Sequence, residues 1–431
     1  MSTAAIEAAP ANSTGRIVVA SFIGTAIEFY DFYVYATATA LVFGHLFFPS
    51  ESASAAQLLA FATFSIAFIA RPLGSALFGH FGDRIGRKST LVASLMIMGV
   101  STTLVGLLPT YETIGLVAPV VLCILRFGQG IGLGGEWGGA ALLAVENAPP
   151  EKRAWFGMFP QLGAPVGFIA ANGLFLLLAA TLDDDQFRSW GWRIPFLASA
   201  ALLVVGLYVR LKLVESPVFR DAMEKDQKQR VPLGTLLRKH WKDTVLGTLA
   251  MVACYAVFYL STVFALGFGT TKLGYTREEF LTMLLVAITF MALGIVVSAW
   301  LSDKWGRKPV LLAGLVLTGL MGFLLEPMLA VGRPFEVTAF LAIALLCMGL
   351  IFGPMGAVLS ELFPTQVRYT GASITYNMGG ILGASFAPLI ALQLAEAGGL
   401  HYVGYYLTAT AALSFIAILL MRETRDEALG G

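Results

Sequence analysis

The sequence predicts an all-α membrane protein, and three observations carry that prediction. Hydrophobic residues make up 57% of the 431 residues, whereas charged residues make up only 13%. Soluble domains carry roughly 25% charged residues, about twice this fraction. The apolar residues fall into long runs, and twelve helices of ~20 residues would use most of them. This composition argues against a large soluble enzyme, a nucleic-acid-binding protein and a disordered protein.

Short polar turns separate the apolar runs. Because backbone polar groups in lipid must be satisfied within their own segment, each run is predicted to be a transmembrane helix. Three cysteines lie singly in these runs, which indicates core residues and no metal or disulfide framework. The twelve predicted spans are 17–46, 57–80, 89–108, 115–146, 154–181, 191–213, 242–270, 279–301, 309–329, 335–361, 368–395 and 401–421.

The longest polar stretch, 214–241, falls at the midpoint of the chain. It is predicted to be a cytoplasmic linker between two six-helix halves, 17–213 and 242–421, with tails at 1–16 and 422–431. With both termini inside, inner loops and tails hold 21 of the 28 lysines and arginines, and outer loops hold five. The positive-inside rule therefore predicts that both termini are cytoplasmic.

Two motifs recur at about half the length of the chain. The loop Asp83-Arg84-Ile85-Gly86-Arg87-Lys88 is similar to Asp303-Lys304-Trp305-Gly306-Arg307-Lys308, at an offset of 220 residues. At an offset of 215, Glu146, Pro149 and Arg153 recur as Glu361, Pro364 and Arg368. Both halves have their basic loops on one side, so the repeat is parallel. Halves of this kind can rock about a central site in alternating access.

The motif Gly79-x-x-x-Asp83-Arg84-x-Gly86-Arg87-Lys88 resembles the signature loop of the major facilitator superfamily. Further segments resemble its metabolite:proton symporter branch, and the resemblance covers the chain after Arg16. It implies a multi-pass inner-membrane transporter of a small polar metabolite, functional as a monomer in the lipid bilayer. The branch takes shikimate-like acids, tricarboxylic-acid-cycle acids or zwitterionic osmolytes. The resembling segments are Glu28–Phe32, Arg71–Gly74, Gly134–Gly139, Ser189–Phe196 and Glu361–Arg368.

The signature loops have a physical interpretation. Glycine lets helices approach closely, and an aspartate can pair with a basic group or a helix end, so the loop can latch one end of the transporter. The alternative is a basic membrane anchor with a turn. In the second copy Ala299 replaces Gly79 and Ser302 replaces Gly82. We therefore expect the second signature loop to close less tightly than the first.

Five charged residues fall in the interior of the predicted spans, away from the span ends, and all five lie in the first half. Each costs about 2.5–3.5 kcal/mol on insertion scales, so such residues mark functional sites. They are Glu28, Asp31, Arg71, Arg126 and Glu136.

Asp31 and Glu28 share one face of the first helix. A buried Arg126 needs a counter-charge, which either acid can supply. Protonation of the acid would then free the arginine for an anionic substrate group, with Asp31 favoured over Glu28. The alternative is a static salt bridge that only positions two helices.

Arg126, Gln129, Leu133 and Glu136 form one stripe of the fourth helix. Glu136 is interpreted equally as a second proton site or as a structural partner of another helix. Arg71 can bind a substrate carboxylate or pair with an acid. Neutral polar and aromatic residues are further candidates for substrate contact, with core packing as the alternative for each tyrosine. These candidates are Tyr30, Gln129, Gln161, Tyr255, Tyr259, Tyr376 and Asn377.

The sequence therefore favours a proton-coupled symporter of a small carboxylate. A zwitterion symporter and a uniporter or antiporter on the same fold stay open, and sodium could replace the proton. A membrane enzyme is disfavoured because the sequence has no His-Glu-x-x-His, no Gly-x-Ser-x-Gly and no nucleotide-binding loop. We expect no cofactor, no metal and no nucleic-acid partner.

Overall fold

A computed structural model describes residues 14–50, 52–85, 87–211, 232–330, 332–364 and 367–426, with the backbone alone at 14, 16, 17, 79–85, 87–91, 232 and 233. These residues are almost entirely helical, as the composition predicts. The long helices are α1 Thr14–Ala38, α2 Ala53–Ile85, α3 Arg87–Leu107, α4 Val117–Gly134, α5 Arg153–Thr181, α6 Ile194–Leu211, α7 Trp241–Tyr259, α8 Arg277–Trp305, α9 Arg307–Met328, α10 Pro334–Glu361, α11 Arg368–Gly380 and α12 Leu400–Leu420.

Four of these helices continue beyond an irregular turn. α1, α7 and α11 pass through the π-helical turns Thr39–Phe43, Leu260–Phe264 and Ile381–Ser385. α4 resumes as Trp137–Glu146 after a break at Gly135 and Glu136. The π-turns of α1 and α7 lie at matching places in the two halves, 221 residues apart, close to the offset of the signature loops. Short helices at Tyr111–Ile114, Asp184–Ser189 and Pro232–Lys239 connect the long ones.

Within the described residues, ten helical stretches are long and apolar enough to cross a membrane, and Val92–Leu107 is a shorter apolar helix. One helix, α8, extends past its predicted apolar span because capping residues continue it. In α8 the Thr276 hydroxyl accepts from the Glu279 backbone N–H, and the Glu279 carboxylate accepts from that of Thr276. The helix therefore begins at Arg277, two residues before the predicted span.

The packing repeats the duplication seen in the sequence. In the first half α1 packs on α5, α2 on α4, and α3 on α6; in the second half α7 packs on α11, α8 on α10, and α9 on α12. Between the halves α5 packs on α8 and α10, and α2 packs on α11. The interface between α1–α6 and α7–α12 is where rocking of the halves would open or close a path.

Glycines set the position of α4 between α2 and α3. A Cβ at Gly130 would overlap the Ala67 carbonyl of α2, and a Cβ at Gly132 would meet the Met98 side chain of α3. This glycine-rich helix therefore approaches both of its neighbours closely. It holds Arg126 at a fixed depth among α1, α2 and α3.

Candidate functional site

The end of the bundle that carries Asp303 is called the signature-loop end. Asp303 accepts hydrogen bonds from the backbone N–H groups of Ala154 and Trp155, at 3.0 and 2.9 Å. These groups belong to the first turn of α5, so a carboxylate of the second half caps a helix of the first half. The helix dipole stabilises a negative charge at the N-terminus of a helix, and the Asp303 carboxylate supplies that charge. The second signature loop thus closes on the first half despite Ala299 and Ser302.

Arg307 ties this contact to a larger cluster. Its guanidinium bonds Asp303 Oδ1 at 2.8 Å and holds Glu361 through two bonds of 2.9 and 3.2 Å. Arg153 of the first half lies 3.8 Å from the same carboxylate. At the second motif pair, Arg368 lies 3.4 Å from Glu146 across the interface.

The remaining residues of the second loop support the cluster. Gly306 ends α8 at φ +100°, in the left-handed region that favours glycine. Lys308 donates to the carbonyls of Leu419 and Met421 at 3.0 and 2.7 Å. Glu423 accepts from the backbone N–H groups of Arg307 and Lys308, both at 2.9 Å. Burial raises the pKa of Glu423, but four backbone N–H groups outweigh it and hold the pKa of this carboxyl below its usual value.

The first signature loop lies outside the described side chains. The candidates Gly79, Asp83, Arg84, Arg87 and Lys88 have backbone positions only, and Gly86 is not described. Their predicted part in closing the signature-loop end stays a prediction.

The two halves also touch at the opposite end of the bundle. Arg277 lies 2.9 Å from Asp184, and its guanidinium covers the Phe187 ring at 4.6 Å. Lys272 donates to the Ser54 hydroxyl at 2.9 Å. The two halves therefore contact each other at both ends of the described structure.

Removing the contact at one end of the bundle should favour opening of that end and not of the other. Asp303→Ala deletes the two charge-assisted hydrogen bonds to α5, worth about 1.5–3 kcal/mol each, together with the bond to Arg307. Spin labels at the exposed Lys152 and Lys304 positions should then report a larger population of long distances. Asp184→Ala is the matched control, because it breaks an exposed pair worth ~0.2–1 kcal/mol at the other end. Equal distance distributions in both variants would contradict the latch.

Two arginines of the first half lie buried at the centre without a carboxylate. Arg126 is 0% exposed and Arg71 is 5% exposed. Neither is within 4 Å of a carboxylate oxygen among the described residues. Nε of Arg71, and Nε and Nη2 of Arg126, are buried and donate no hydrogen bond. The direct ion pair of Arg126 with Asp31 or Glu28 that the sequence suggested is absent from this part of the chain.

Aromatic rings take the place of counter-charges. The Arg126 guanidinium lies 3.9 Å from the Tyr35 ring and 4.6 Å from the Phe32 ring. Arg71 lies 4.5 Å from both the Phe32 and the Phe68 ring. One phenylalanine therefore contacts both cations. Such contacts contribute about 0.5–2 kcal/mol and leave the N–H edges of a guanidinium available.

The second half adds its aromatic residues to this centre. Tyr259 packs on Phe32, and Tyr255 lies between Phe68 and Tyr376. Trp137 of α4 stacks on Tyr376 of α11, with ring centroids 3.7 Å apart. Three of the four second-half candidates thus lie at the interface beside the arginines.

Asp31 is buried and has a neutral hydrogen-bond partner. The Ser199 hydroxyl donates to its Oδ1 at 2.5 Å. Gln129 accepts from Nη1 of Arg126 at 2.9 Å and donates to Thr102 at 2.7 Å. Asp31 and Arg126 therefore have separate, neutral hydrogen-bond partners and are not paired.

Glu136 forms an ion pair with Arg210 of α6. The two side chains are almost fully buried, and Glu28 lies in electrostatic range of Arg210 and Arg71. Of the two interpretations of Glu136, this geometry favours the structural partner. Arg210 was counted from the sequence as a loop residue, although it lies within the predicted span 191–213.

Glu136→Gln should therefore destabilise the protein, because it removes the carboxylate that faces a buried arginine. Breaking one partner of a buried pair costs about 3–5 kcal/mol, which a melting curve in detergent would detect. The double variant Glu136→Gln/Arg210→Met should recover most of the loss. A single variant as stable as the unchanged protein would contradict the structural role.

Three other candidates serve contacts elsewhere. The Tyr30 hydroxyl donates to the Pro195 carbonyl at 2.8 Å, so it ties α1 to α6 and its proposed substrate contact is not supported. Gln161 accepts from Trp137 and donates to the Phe352 carbonyl of the second half. Asn377 donates to the Ser75 hydroxyl, also across the interface. These amides join the halves rather than line the arginines.

Several residues at the centre were missed from the sequence. Phe32, Phe64 and Phe68 look like ordinary core residues. Ser199 is a single hydroxyl in an apolar run, and Thr102 lies between two other hydroxyl residues, Ser101 and Thr103. Only the position of Phe32 beside Asp31 offered a signal. In the described residues no group of three metal-ligating side chains is found.

Comparison with known proteins agrees with this architecture. The sequence model of the sugar (and other) transporter family matches residues 17–232, and that of the major facilitator superfamily matches residues 270–430. The inner membrane metabolite transport protein YhjE of Escherichia coli (strain K12) is 56% identical over 98% of this chain and 97% of its own length. This chain belongs to the major facilitator superfamily. It is a multi-pass membrane transporter, and its relatives are not enzymes.

Two further similarities bear on the family. The shikimate transporter of Escherichia coli (strain K12) is 38% identical over 95% of both chains. A solved structure of the proton:xylose symporter XylE bound to 6-bromo-6-deoxy-D-glucose has a TM-score of 0.75. The two sequences are 19% identical, and the structural match covers 96% of this chain and 97% of the symporter chain. This match shows a common fold.

Proposed function

We propose that this protein is a proton-coupled symporter that imports a small organic acid by alternating access. The observation that carries the proposal is the pair of buried arginines, Arg71 and Arg126, with unused N–H donors and no carboxylate partner in the described chain. A carboxylate is the group that matches a guanidinium edge through two parallel hydrogen bonds. Substrate binding would supply the direct carboxylate partner that neither arginine has among the described residues.

Proton coupling is assigned to Asp31. Its described hydrogen-bond partner is the Ser199 hydroxyl, so it can gain or lose a proton without breaking an ion pair. Support comes also from the fold shared with a proton:xylose symporter and from the similarity to a shikimate transporter. Sodium as the coupling ion is the alternative.

The same proposal places the signature-loop end and both termini in the cytoplasm, in twelve spans of a functional monomer. The bias of 21 inner against five outer basic residues supports this orientation. Closure through Asp303 would then hold the cytoplasmic side shut until substrate and proton have bound.

A zwitterionic osmolyte is the second candidate. Its carboxylate would bind the same arginines, and its ammonium group would lie against the aromatic faces of Tyr255, Tyr259 and Tyr376. This aromatic cluster is the observation that favours it.

A thermal-shift screen of the purified protein tests the proposal. The panel is shikimate, its methyl ester, 2-oxoglutarate, citrate, glycine betaine and proline. An organic acid should raise the melting temperature, and the neutral methyl ester should not, because it has no carboxylate for the arginines. A shift with betaine or proline alone would support the second candidate. Equal shifts with shikimate and its ester would contradict the arginine site.

A further inference from the structure

Two polar contacts join α2 of the first half to α11 of the second half. Nδ2 of Asn377 donates to the Ser75 hydroxyl at 2.9 Å and to the Gly134 carbonyl at 3.4 Å. The Ser65 hydroxyl donates to the Ser385 carbonyl at 2.5 Å, and the Ser385 hydroxyl donates to the Ser65 carbonyl at 3.3 Å. The four polar side chains are buried. Each contact has to break when the two helices separate at its level.

The two contacts lie at different levels of the bundle, on opposite sides of a buried arginine. α2 runs towards the first signature loop, and α11 begins at the signature-loop end. The contact of Ser75 with Asn377 is therefore nearer that end and is called the signature-side clasp. The contact of Ser65 with Ser385 is called the far-side clasp. Arg71 lies between the two serines of α2, which are about 15 Å apart along the helix axis.

Between the clasps, α2 and α11 are in close apolar contact. A Cβ at Gly380 of α11 would lie 3.1 Å from the Phe68 ring of α2, so the glycine makes room for this ring. The same ring lies 4.5 Å from the Arg71 guanidinium, at the level of the proposed substrate site. Apolar surfaces can tilt against each other without losing a hydrogen bond. The two helices can therefore pivot here while a clasp on one side opens.

Both clasps use carbonyl groups at the ends of helical segments. Gly134 is the last residue of α4 before its break, and Ser385 is the last residue of the π-turn that follows α11. The last carbonyls of a helical segment have no helical donor, so side chains can bond them. Beside the signature-side clasp, the Tyr369 hydroxyl of α11 donates to the Gly135 carbonyl at 2.5 Å. The irregular turns thus supply acceptors to the opposite half.

We propose that the two clasps are the gates of the substrate site. The signature-side clasp opens when the site faces the signature-loop end, and the far-side clasp opens when the site faces the opposite end. The contact between Phe68 and Gly380 is the pivot. In the described structure both clasps are formed. The inference rests on the proposed function, because rocking of the halves in alternating access needs one gate on each side of the site.

Distances between spin labels at the two ends of the bundle test the gates. One pair of labels, at the exposed Lys152 and Lys304 positions, reports the signature-loop end. A second pair, at the exposed Asp185 and Glu278 positions, reports the opposite end. The three native cysteines are replaced by alanine, so that only introduced cysteines carry a label. All distances are measured without substrate.

Each clasp is removed by its own variant. Asn377→Leu keeps the approximate size of the side chain and deletes both donor bonds of the signature-side clasp. It should increase the population of long distances at the signature-loop end only. The double variant Ser65→Ala/Ser385→Ala deletes both bonds of the far-side clasp and should do the same at the opposite end only. Loss of these neutral hydrogen bonds predicts a rise of about two- to tenfold in the open-to-closed ratio.

Thr63→Val is the matched control on α2. The described hydrogen bonds of Thr63, to the Tyr35 hydroxyl and the Ala60 carbonyl, stay within the first half, so both distance distributions should be unchanged. Melting temperatures show that each variant is folded, and Asn377→Ala repeats the measurement if Asn377→Leu does not fold.

Two results would overturn the gates: unchanged distances in both clasp variants, or equal opening of both ends in either variant. The outcome is separate from that of the proposed function, because no substrate is present in the measurement. A protein that binds none of the acids in the thermal-shift screen would refute the proposed function, whereas the label distances would still show whether each clasp holds its own end shut.

Discussion

Arg126→Met is expected to abolish binding of the organic acid while the protein keeps or gains thermal stability. The unused Nε and Nη2 donors of Arg126 would form two charge-assisted hydrogen bonds to a carboxylate. At about 1.5–3 kcal/mol each, their loss weakens affinity by roughly 100-fold or more. The arginine has no ion-pair partner in the described chain, so its removal relieves an uncompensated buried charge. Isothermal titration and a melting curve on the same sample measure both effects.

Arg193→Met is the matched control. Arg193 also lies over an aromatic ring, that of Trp192, but its guanidinium donates to the carbonyls of Gly106 and Leu108. Its replacement should therefore lower the melting temperature and leave the affinity unchanged. If Arg126→Met instead lowers stability and keeps the affinity, the arginine is structural and the substrate assignment is wrong.

Asp31→Asn is expected to uncouple transport from the proton gradient. Asparagine keeps the size of the side chain and an acceptor for the Ser199 hydroxyl, and it imitates a permanently protonated acid. Exchange of labelled for unlabelled acid across proteoliposomes should persist, because it needs no net proton movement. Accumulation driven by a pH gradient should fall to the level of passive equilibration. Parallel assays of exchange and accumulation measure this difference.

Glu28→Gln is the informative comparison, since Glu28 shares a helix face with Asp31 and lies near Arg71 and Arg210. If Asp31→Asn still accumulates the acid and Glu28→Gln does not, the proton site moves to Glu28. Accumulation in both single variants would exclude either acid as the sole coupling group.

The sequence predicts the helical class, the duplication and much of the charge cluster. Charges are so costly in lipid that Asp31, Arg71 and Arg126 stand out without any structure. The repeated loop likewise identified Asp303, Arg307 and Glu361, which the structure brings together at one end. Helical periodicity placed Arg126 and Gln129 on one face, and the two side chains are hydrogen-bonded.

The partners of these residues were not predictable from the sequence, because partner choice depends on how helices pack. The sequence suggested an acid for Arg126, but the fold surrounds it with rings of α1 and α2. Asp303 binds the first turn of α5 through backbone groups, which leave no signal in residue types. Ser199 acquires its significance only from its hydrogen bond to Asp31, and Thr102 only from its hydrogen bond to Gln129.

The most direct test of proton symport measures accumulation of the bound acid in proteoliposomes under an imposed pH gradient. The medium contains no sodium, the outside is made acidic, and a protonophore is added at the plateau. A proton symporter is expected to concentrate the acid inside above its outer concentration and to release the excess when the protonophore collapses the gradient. Uptake that stops at equal concentrations, with or without the gradient, would contradict the account.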